Sequence, residues 1–183
     1  MASRHQQSAS FIEGVKLVDL TMHPDDRGVF TELFRESWNV GVSPVQWNVV
    51  RSNAGVLRGV HVHPIHDDYL TVVEGWASVG LRDLRRGSLT EGVVSMIELM
   101  GDALNSIVIP HGVAHGFLFR KPSIHIYAVS HYWDTADELA CLWSDPDLGF
   151  DWPIEPVSVS ARDEAASTLS ELIADLEPLQ PIG

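Results

Sequence analysis

An all-β fold of the jelly-roll type is predicted for this 183-residue chain by three features of its pattern. Strand-length segments rich in β-branched and aromatic residues follow one another at spacings of roughly ten residues, about nine of them in all. Clusters of Gly, Pro, Asn and Asp punctuate them, as reversals of an antiparallel chain require. No long amphipathic helical stretch interrupts the series before Ser160.

In order, residues 1–10 (MASRHQQSAS) are polar and read as a disordered tail, and 11–183 as a single domain. Phe11–Leu20 alternates loosely and runs into HPDDRG, a turn that suggests a hairpin. Val29–Glu36, Val45–Ser52 and Val56–His63 are strand segments, separated by GVSP and NAG turns. Tyr69–Leu84 supplies one more strand; Val93–Met100, Ser106–Pro110, Ala114–Phe119 and Ser123–Trp133 complete the set. Prolines 146, 153 and 156 then impose an irregular stretch. Residues 161–176 read as a C-terminal helix packed on the outside, with Ser160 as N-cap and Ala165, Leu169, Leu172, Ile173 and Leu176 on one stripe.

Composition narrows the function. A formal net charge of −13 argues against nucleic acid, whose recognition depends on clustered Lys and Arg. No apolar run long enough to span a membrane occurs, so no membrane partner is expected. Cys141 is the one cysteine, so no internal disulfide can form, and a reducing, cytoplasmic setting is expected.

The chemically loaded stretch is Gly55–Gly75, GVLRGVHVHPIHDDYLTVVEG. His61 and His63 alternate as residues on one face of a strand do. The spacing Gly55, His61, His63, Asp68, Gly75 is similar to the first cupin motif, with Asp for the usual Glu, and Pro110–His115 (PHGVAH) resembles the core of the second. One consequence is a divalent transition metal held by His61, His63, Asp68 and His115. Another is a metal-free pocket lined by histidines. A third makes His61 a general base, which needs a carboxylate to orient it and a proton donor such as Tyr127 on another wall. A lone buried Tyr is ordinarily a core residue, and the residues by themselves leave these alternatives open.

A wider resemblance weighs on the choice. DDRGVFTELFRES (25–37), VQWNVVRSNAGVLRGVH (45–61), PHGVAHGF (110–117), Tyr127, WSDPDLGFDWP (143–153) and SARD (160–163) resemble, in order, the signatures of the dTDP-4-dehydrorhamnose 3,5-epimerase family. The resemblance implies a cupin jelly roll, a homodimer, no cofactor, and a dTDP-linked 4-keto-6-deoxyhexose epimerised at C3 and/or C5. It places His61 as base, Asp163 as its carboxylate partner and Tyr127 as proton donor. It places Arg27, Glu32, Gln46, Asn48, Arg58, His115, Glu138 and Arg162 at substrate-binding positions. Phe30 or Trp133 would stack on the base or sugar. Each alone has a plainer reading, Asp163 as a helix cap and Arg27 as a turn residue among them.

Two departures stand out. The family has a Lys beside the substrate's keto oxygen, and that position is Asp68 here; Trp133 stands where a second Tyr is usual. A carboxylate cannot stabilise an enolate as an ammonium does. The missing charge could come from a metal, from protonated His63 or His66, or the chemistry could be altered. Two further functions therefore stand beside the epimerase: a metal-dependent cupin acting as dioxygenase, isomerase or lyase, and a sugar-binding module without turnover.

Overall fold

A computed structural model describes residues 7–9, 12–134 and 138–179. The strands are β1 (Gln7–Ala9), β2 (Lys16–Asp19), β3 (Met22–Asp25), β4 (Gly28–Thr31), β5 (Gln46–Ser52), β6 (Leu57–Val62) and β7 (Asp68–Glu74). They continue with β8 (Trp76–Asp83), β9 (Val94–Met100), β10 (Asn105–Ile109), β11 (Val113–Phe119), β12 (Ser123–Val129) and β13 (Leu139–Ala140). One sheet runs β1-β2-β10-β7-β12-β5 and the other β13-β6-β11-β8-β9, while β3 and β4 form a separate hairpin. Every pairing within the sheets is antiparallel. Two facing antiparallel sheets with these crossovers are the jelly roll of the cupin type.

Alternation explains how the layers form. Leu70 and Val72 of β7, Ile107 and Ile109 of β10, and Val79 and Leu81 of β8 point between the sheets and share one core with Phe117 and Phe119 of β11. The intervening residues are also covered. Tyr69, Val108 and Ala128 meet Val40 and Val42 outside the first sheet. Val60, Val62 and Ala114 meet Leu148, Leu169, Leu172 and Leu176 outside the second. With both faces dry, β11 is buried at all seven positions. That is why it reads as apolar or glycine at every position but His115, and not as a half-polar strand.

Several elements differ from expectation. Residues 7–9, placed in a disordered tail, pair with β2 as an edge strand; the exposed edge of β2 offers backbone groups that a polar segment can satisfy as well as an apolar one. Residues 1–6, 10 and 11 lie outside the described set. Val29–Glu36 is not one strand: β4 ends at Thr31, and Glu36–Trp38 form a 3₁₀ turn. The helix expected over 161–176 is broken into α1 (Ala161–Glu164) and α2 (Leu169–Leu176). Between them the backbone of Ser167 bridges to Cys141, and the Ser167 hydroxyl donates to the Ala140 carbonyl. Thr168 then restarts the helix through a reciprocal capping box with Glu171. Leu169, Leu172 and Leu176 are the buried stripe of α2, while Ile173 is 37% exposed and Ala165 lies outside the helix. No helix among the described residues is long and apolar enough to cross a membrane.

Candidate active site

The sandwich opens at one end into a cavity of about 630 Å³. Its walls come from both sheets: His61 and His115 from β6 and β11, Asp68 and Tyr127 from β7 and β12. His61 and His115 are register partners on neighbouring strands, whereas Tyr127 pairs with Leu70 in the opposite sheet. Base and phenol candidates thus face the cavity from different layers.

Local backbone sets the His61 wall. Gly59, two residues earlier in β6, has φ of +108°, and a Cβ there would lie 2.8 Å from the His115 carbonyl oxygen. Only glycine suits both the conformation and the close approach. The amide of Gly59 also points at Asp163 Oδ2, 3.4 Å away. Asp163 sits in α1, whose start is capped by the Ser160 hydroxyl accepting from the Asp163 amide at 3.1 Å. The expected helix-start chemistry is present, and it delivers the carboxylate to the histidine.

The His61 ring lies between two carboxylates. Its Nε2 is 2.8 Å from Asp163 Oδ1, and its Nδ1 is 2.8 Å from Glu138 Oε1. Arg162 holds Glu138 by two hydrogen bonds, 3.1 Å to Oε2 and 2.8 Å to Oε1. Arg162 Nη2 also comes within 2.9 Å of His61 Nε2. A nitrogen that donates to Asp163 cannot accept from a guanidinium, so we assign both ring protons to the carboxylates and treat the arginine contact as an approach within a charge network. Burial disfavours the charged ring, but hydrogen bonds and charge from Asp163 and Glu138 outweigh it and hold the His61 pKa above 6.5. Burial likewise works against the charged forms of Glu138 and Asp163, yet contact with His61 holds both carboxyls below their ordinary values.

The other titratable walls behave differently. Burial raises the Tyr127 pKa above 10.0, and the negative charges of Asp68 and Glu138 add to it. The phenol is therefore protonated at neutral pH. Burial pushes His115 and His125 down to about 4, so both are neutral there. His115 Nδ1 donates to the Val113 carbonyl at 3.0 Å.

The structure gathers part of the residue set expected from sequence. His61, Tyr127, Asp163, Arg58, His115, Trp133, Glu138 and Arg162 all line the cavity. Arg58 donates from Nε to the Ser52 hydroxyl at 3.0 Å, and Trp133 donates from Nε1 to Glu138 Oε2 at 3.2 Å. Gln46 stands behind this wall, its Oε1 accepting from the Trp133 amide at 3.1 Å and its Nε2 donating to Asn48 Oδ1 at 3.0 Å. Arg27, Phe30 and Glu32 are not brought to the cavity of this chain. They belong to the β3–β4 hairpin and the segment after it, with Phe30 64% exposed, Arg27 paired with Asp25, and Glu32 paired with Arg35. The four-residue metal set is not assembled either: His61 is held by Asp163 and Glu138, and His66 stands with His63 and Asp68 in its place. His125 is a cavity residue that sequence reasoning did not select for the site, whereas His66 entered it only as a source of positive charge. Period-two alternation back from Tyr127 carried the signal for His125.

Comparison with known proteins decides between the alternatives. The family model described as dTDP-4-dehydrorhamnose 3,5-epimerase matches residues 9–171. The chain belongs to the dTDP-4-dehydrorhamnose 3,5-epimerase family. It is 34% identical over 169 residues to the dTDP-4-dehydrorhamnose 3,5-epimerase of Pseudomonas aeruginosa, covering 87% of this chain and 93% of that one. It is 37% identical over 148 residues to the spore coat polysaccharide biosynthesis protein SpsL of Bacillus subtilis, covering 79% and 98%. Among solved structures, the family's Mycobacterium tuberculosis epimerase superposes with a TM-score of 0.88 at 30% identity, covering 96% of this chain and 93% of that chain. A Legionella pneumophila epimerase in complex with dTDP-4-keto-L-rhamnose gives a TM-score of 0.86 at 30% identity, with 93% and 96% covered. The fold and enzyme class are those of the epimerase family, an isomerase, and the reading as a metal-dependent dioxygenase or lyase gives way to it.

Proposed function

We propose that this chain inverts C3 and/or C5 of a dTDP-linked 4-keto-6-deoxyhexose, with His61 as base, Asp163 as the carboxylate that orients it, and Tyr127 as acid. The carbonyl at C4 acidifies the neighbouring C–H bonds. Removing a proton from one face gives an enolate, and returning a proton to the other face inverts the carbon. The observation that carries this reading is the placement of the His61–Asp163 pair and the Tyr127 phenol on opposing sheets of one cavity. The ring nitrogen opposite Asp163 now contacts Glu138. Substrate that draws Glu138 and Arg162 onto itself would take one carboxylate off the ring, lower its pKa, and free that nitrogen to accept a carbon-bound proton.

Arg58 and Arg162 are suited to the diphosphate, since a guanidinium binds phosphate oxygens through paired, charge-assisted hydrogen bonds. His115, Asn48 and Gln46 would position the sugar and base, and Trp133, 44% exposed at the cavity, offers a stacking face. Arg27, Phe30 and Glu32 serve the site in a homodimer, where the hairpin of a second copy reaches over the cavity mouth; the exposure of Arg27 and Phe30 in the single chain supports this arrangement. Work in a reducing, cytoplasmic compartment fits the buried free thiol of Cys141.

The test is solvent deuterium incorporation at C3 and C5 of dTDP-4-keto-6-deoxyglucose, followed by NMR. Incorporation that is abolished by His61→Ala supports the proposal. Absence of exchange at both carbons with the wild-type chain refutes it.

A further inference from the structure

Below the His61 wall the cavity contains a second cluster that the proton-transfer chemistry does not use. His63 follows β6, His66 lies in the loop after Pro64, Asp68 opens β7, and His115 is in β11, so the four residues join the two sheets. They are 6%, 1%, 6% and 6% exposed. A buried carboxylate faced by imidazoles is a nitrogen–oxygen donor set of the kind that holds a divalent transition ion.

The spacing fits such an ion. Asp68 Oδ2 is 3.6 Å from His63 Nε2 and 3.7 Å from His115 Nε2, and Asp68 Oδ1 is 3.9 Å from His66 Nε2. These separations exceed the ~2.7–3.2 Å of a direct hydrogen bond. They lie close to the ~3.4 Å that separates neighbouring ligands on a tetrahedral ion at about 2.1 Å from each. Ligand atoms of His63, His66 and Asp68 lie within 4.8 Å of one another. His63 and His66 stack with ring centroids 3.8 Å apart. On the far side, the His115 Nδ1–H is donated to the Val113 carbonyl at 3.0 Å. This backbone contact fixes the ring and turns Nε2 inward, as is usual for a histidine that ligates a metal.

We infer that His63, His66 and Asp68 form a binding site for one divalent first-row transition ion beside the His61 base, with His115 alongside Asp68. Two imidazoles and one carboxylate in a compact buried set, leaving a fourth position open, suit Zn²⁺, with Co²⁺ as an equivalent occupant. His61 is not a member, because both its nitrogens are engaged by Asp163 and Glu138. The site therefore differs from the set with His61 that strand alternation suggests. An ion here also answers an electrostatic difficulty. Asp68, Glu138 and Asp163 all line the cavity, and an enolate formed among three carboxylates would be opposed by their charge. A dication on Asp68 reverses the field at that wall. This role rests on the epimerase reading; occupancy of the site does not.

The experiment uses the full chain, freed of metal by dialysis against a chelator and titrated with Zn²⁺ by calorimetry and with Co²⁺ by visible absorption. One ion binds per chain, with d–d bands of a four-coordinate nitrogen–oxygen site. His66→Gln and Asp68→Asn each weaken binding by more than the about 10–100-fold typical of losing an outer-shell partner, whereas His61→Asn leaves affinity unchanged. Melting curves in chelator show whether each variant is folded before it is titrated. No binding by the folded wild-type chain overturns the inference. So does binding that His61→Asn abolishes and His66→Gln does not. A failed epimerase reading shows itself separately, as an absence of solvent exchange in both the metal-free and the loaded protein.

Discussion

His61 and Asp163 are 102 positions apart and meet at 2.8 Å. The contact joins an inner strand to a one-turn helix that is held against that strand from outside. Removing the carboxylate should lower the His61 pKa, since Asp163 raises it by hydrogen bond and charge. Asp163→Asn is expected to reduce kcat by about 10²–10⁴-fold, the usual worth of a positioned base. In the wild type, kcat/KM should rise with pH through a value above 6.5, because only the neutral ring accepts a proton. The same limb should move to lower pH in Asp163→Asn, and a pH–rate profile of both proteins measures this.

Tyr127 stands in the other sheet, with its pKa raised above 10.0 by burial first and by Asp68 and Glu138 second. If it returns the proton while His61 removes it, Tyr127→Phe separates the two half-reactions. Substrate C–H should still exchange with deuterated solvent, while inverted product falls by about 10²-fold or more. Product stereochemistry and deuterium content, read in one NMR sample, distinguish this from a general loss of binding.

Gly59 sets the backbone that positions His61. Its φ of +108° and the 2.8 Å approach of a Cβ to the His115 carbonyl make Gly59→Ala strained. A loss of about 1–3 kcal/mol in stability is expected, together with lower kcat from displacement of His61. Urea unfolding and steady-state kinetics on one preparation test both parts.

Asp83 is the acid whose protonation should matter to stability far from the site. Its carboxylate accepts from Arg85 Nε at 2.8 Å, Ser88 Oγ at 2.7 Å and Thr90 Oγ1 at 2.6 Å, closing the loop between β8 and β9. Burial would raise its pKa, but these donors win and lower it from 3.8 to about 2. A depressed carboxyl stabilises the fold above its unfolded pKa and loses that contribution as pH falls through the folded one. Between pH 3.8 and about 2, roughly 2 kcal/mol should disappear. Asp83→Asn should flatten this part of the stability–pH curve, as followed by chemical denaturation at each pH.

How much of this was legible from the chain is visible at particular residues. Strand positions followed from period-two patterns and turns, and the start of α1 from Ser160. The break before α2 was missed. Its apolar spacing continues in register across Ala165, and what interrupts it is the pairing of Ser167 with Cys141, a contact with no local signal. The hairpin residues Arg27, Phe30 and Glu32 show the opposite case. Their type suits a binding site, but the single chain leaves them outside the cavity.

The sequence by itself determined the jelly roll, because alternation, turn residues and strand lengths are local properties that each segment carries in its own side chains. It also determined which residue types were present to act: a strand histidine, an acid after a helix cap, a tyrosine on another strand. Tertiary structure decided which of them meet. Packing of α1 against β6 gave His61 to Asp163, and pairing of β13 with β6 gave it to Glu138, and so withheld it from the group of His63, Asp68 and His115 that its own strand spacing suggests. The physical reason is that a side chain's direction is set by its strand, but its partner is set by distance across the sandwich, which depends on every element folded between them.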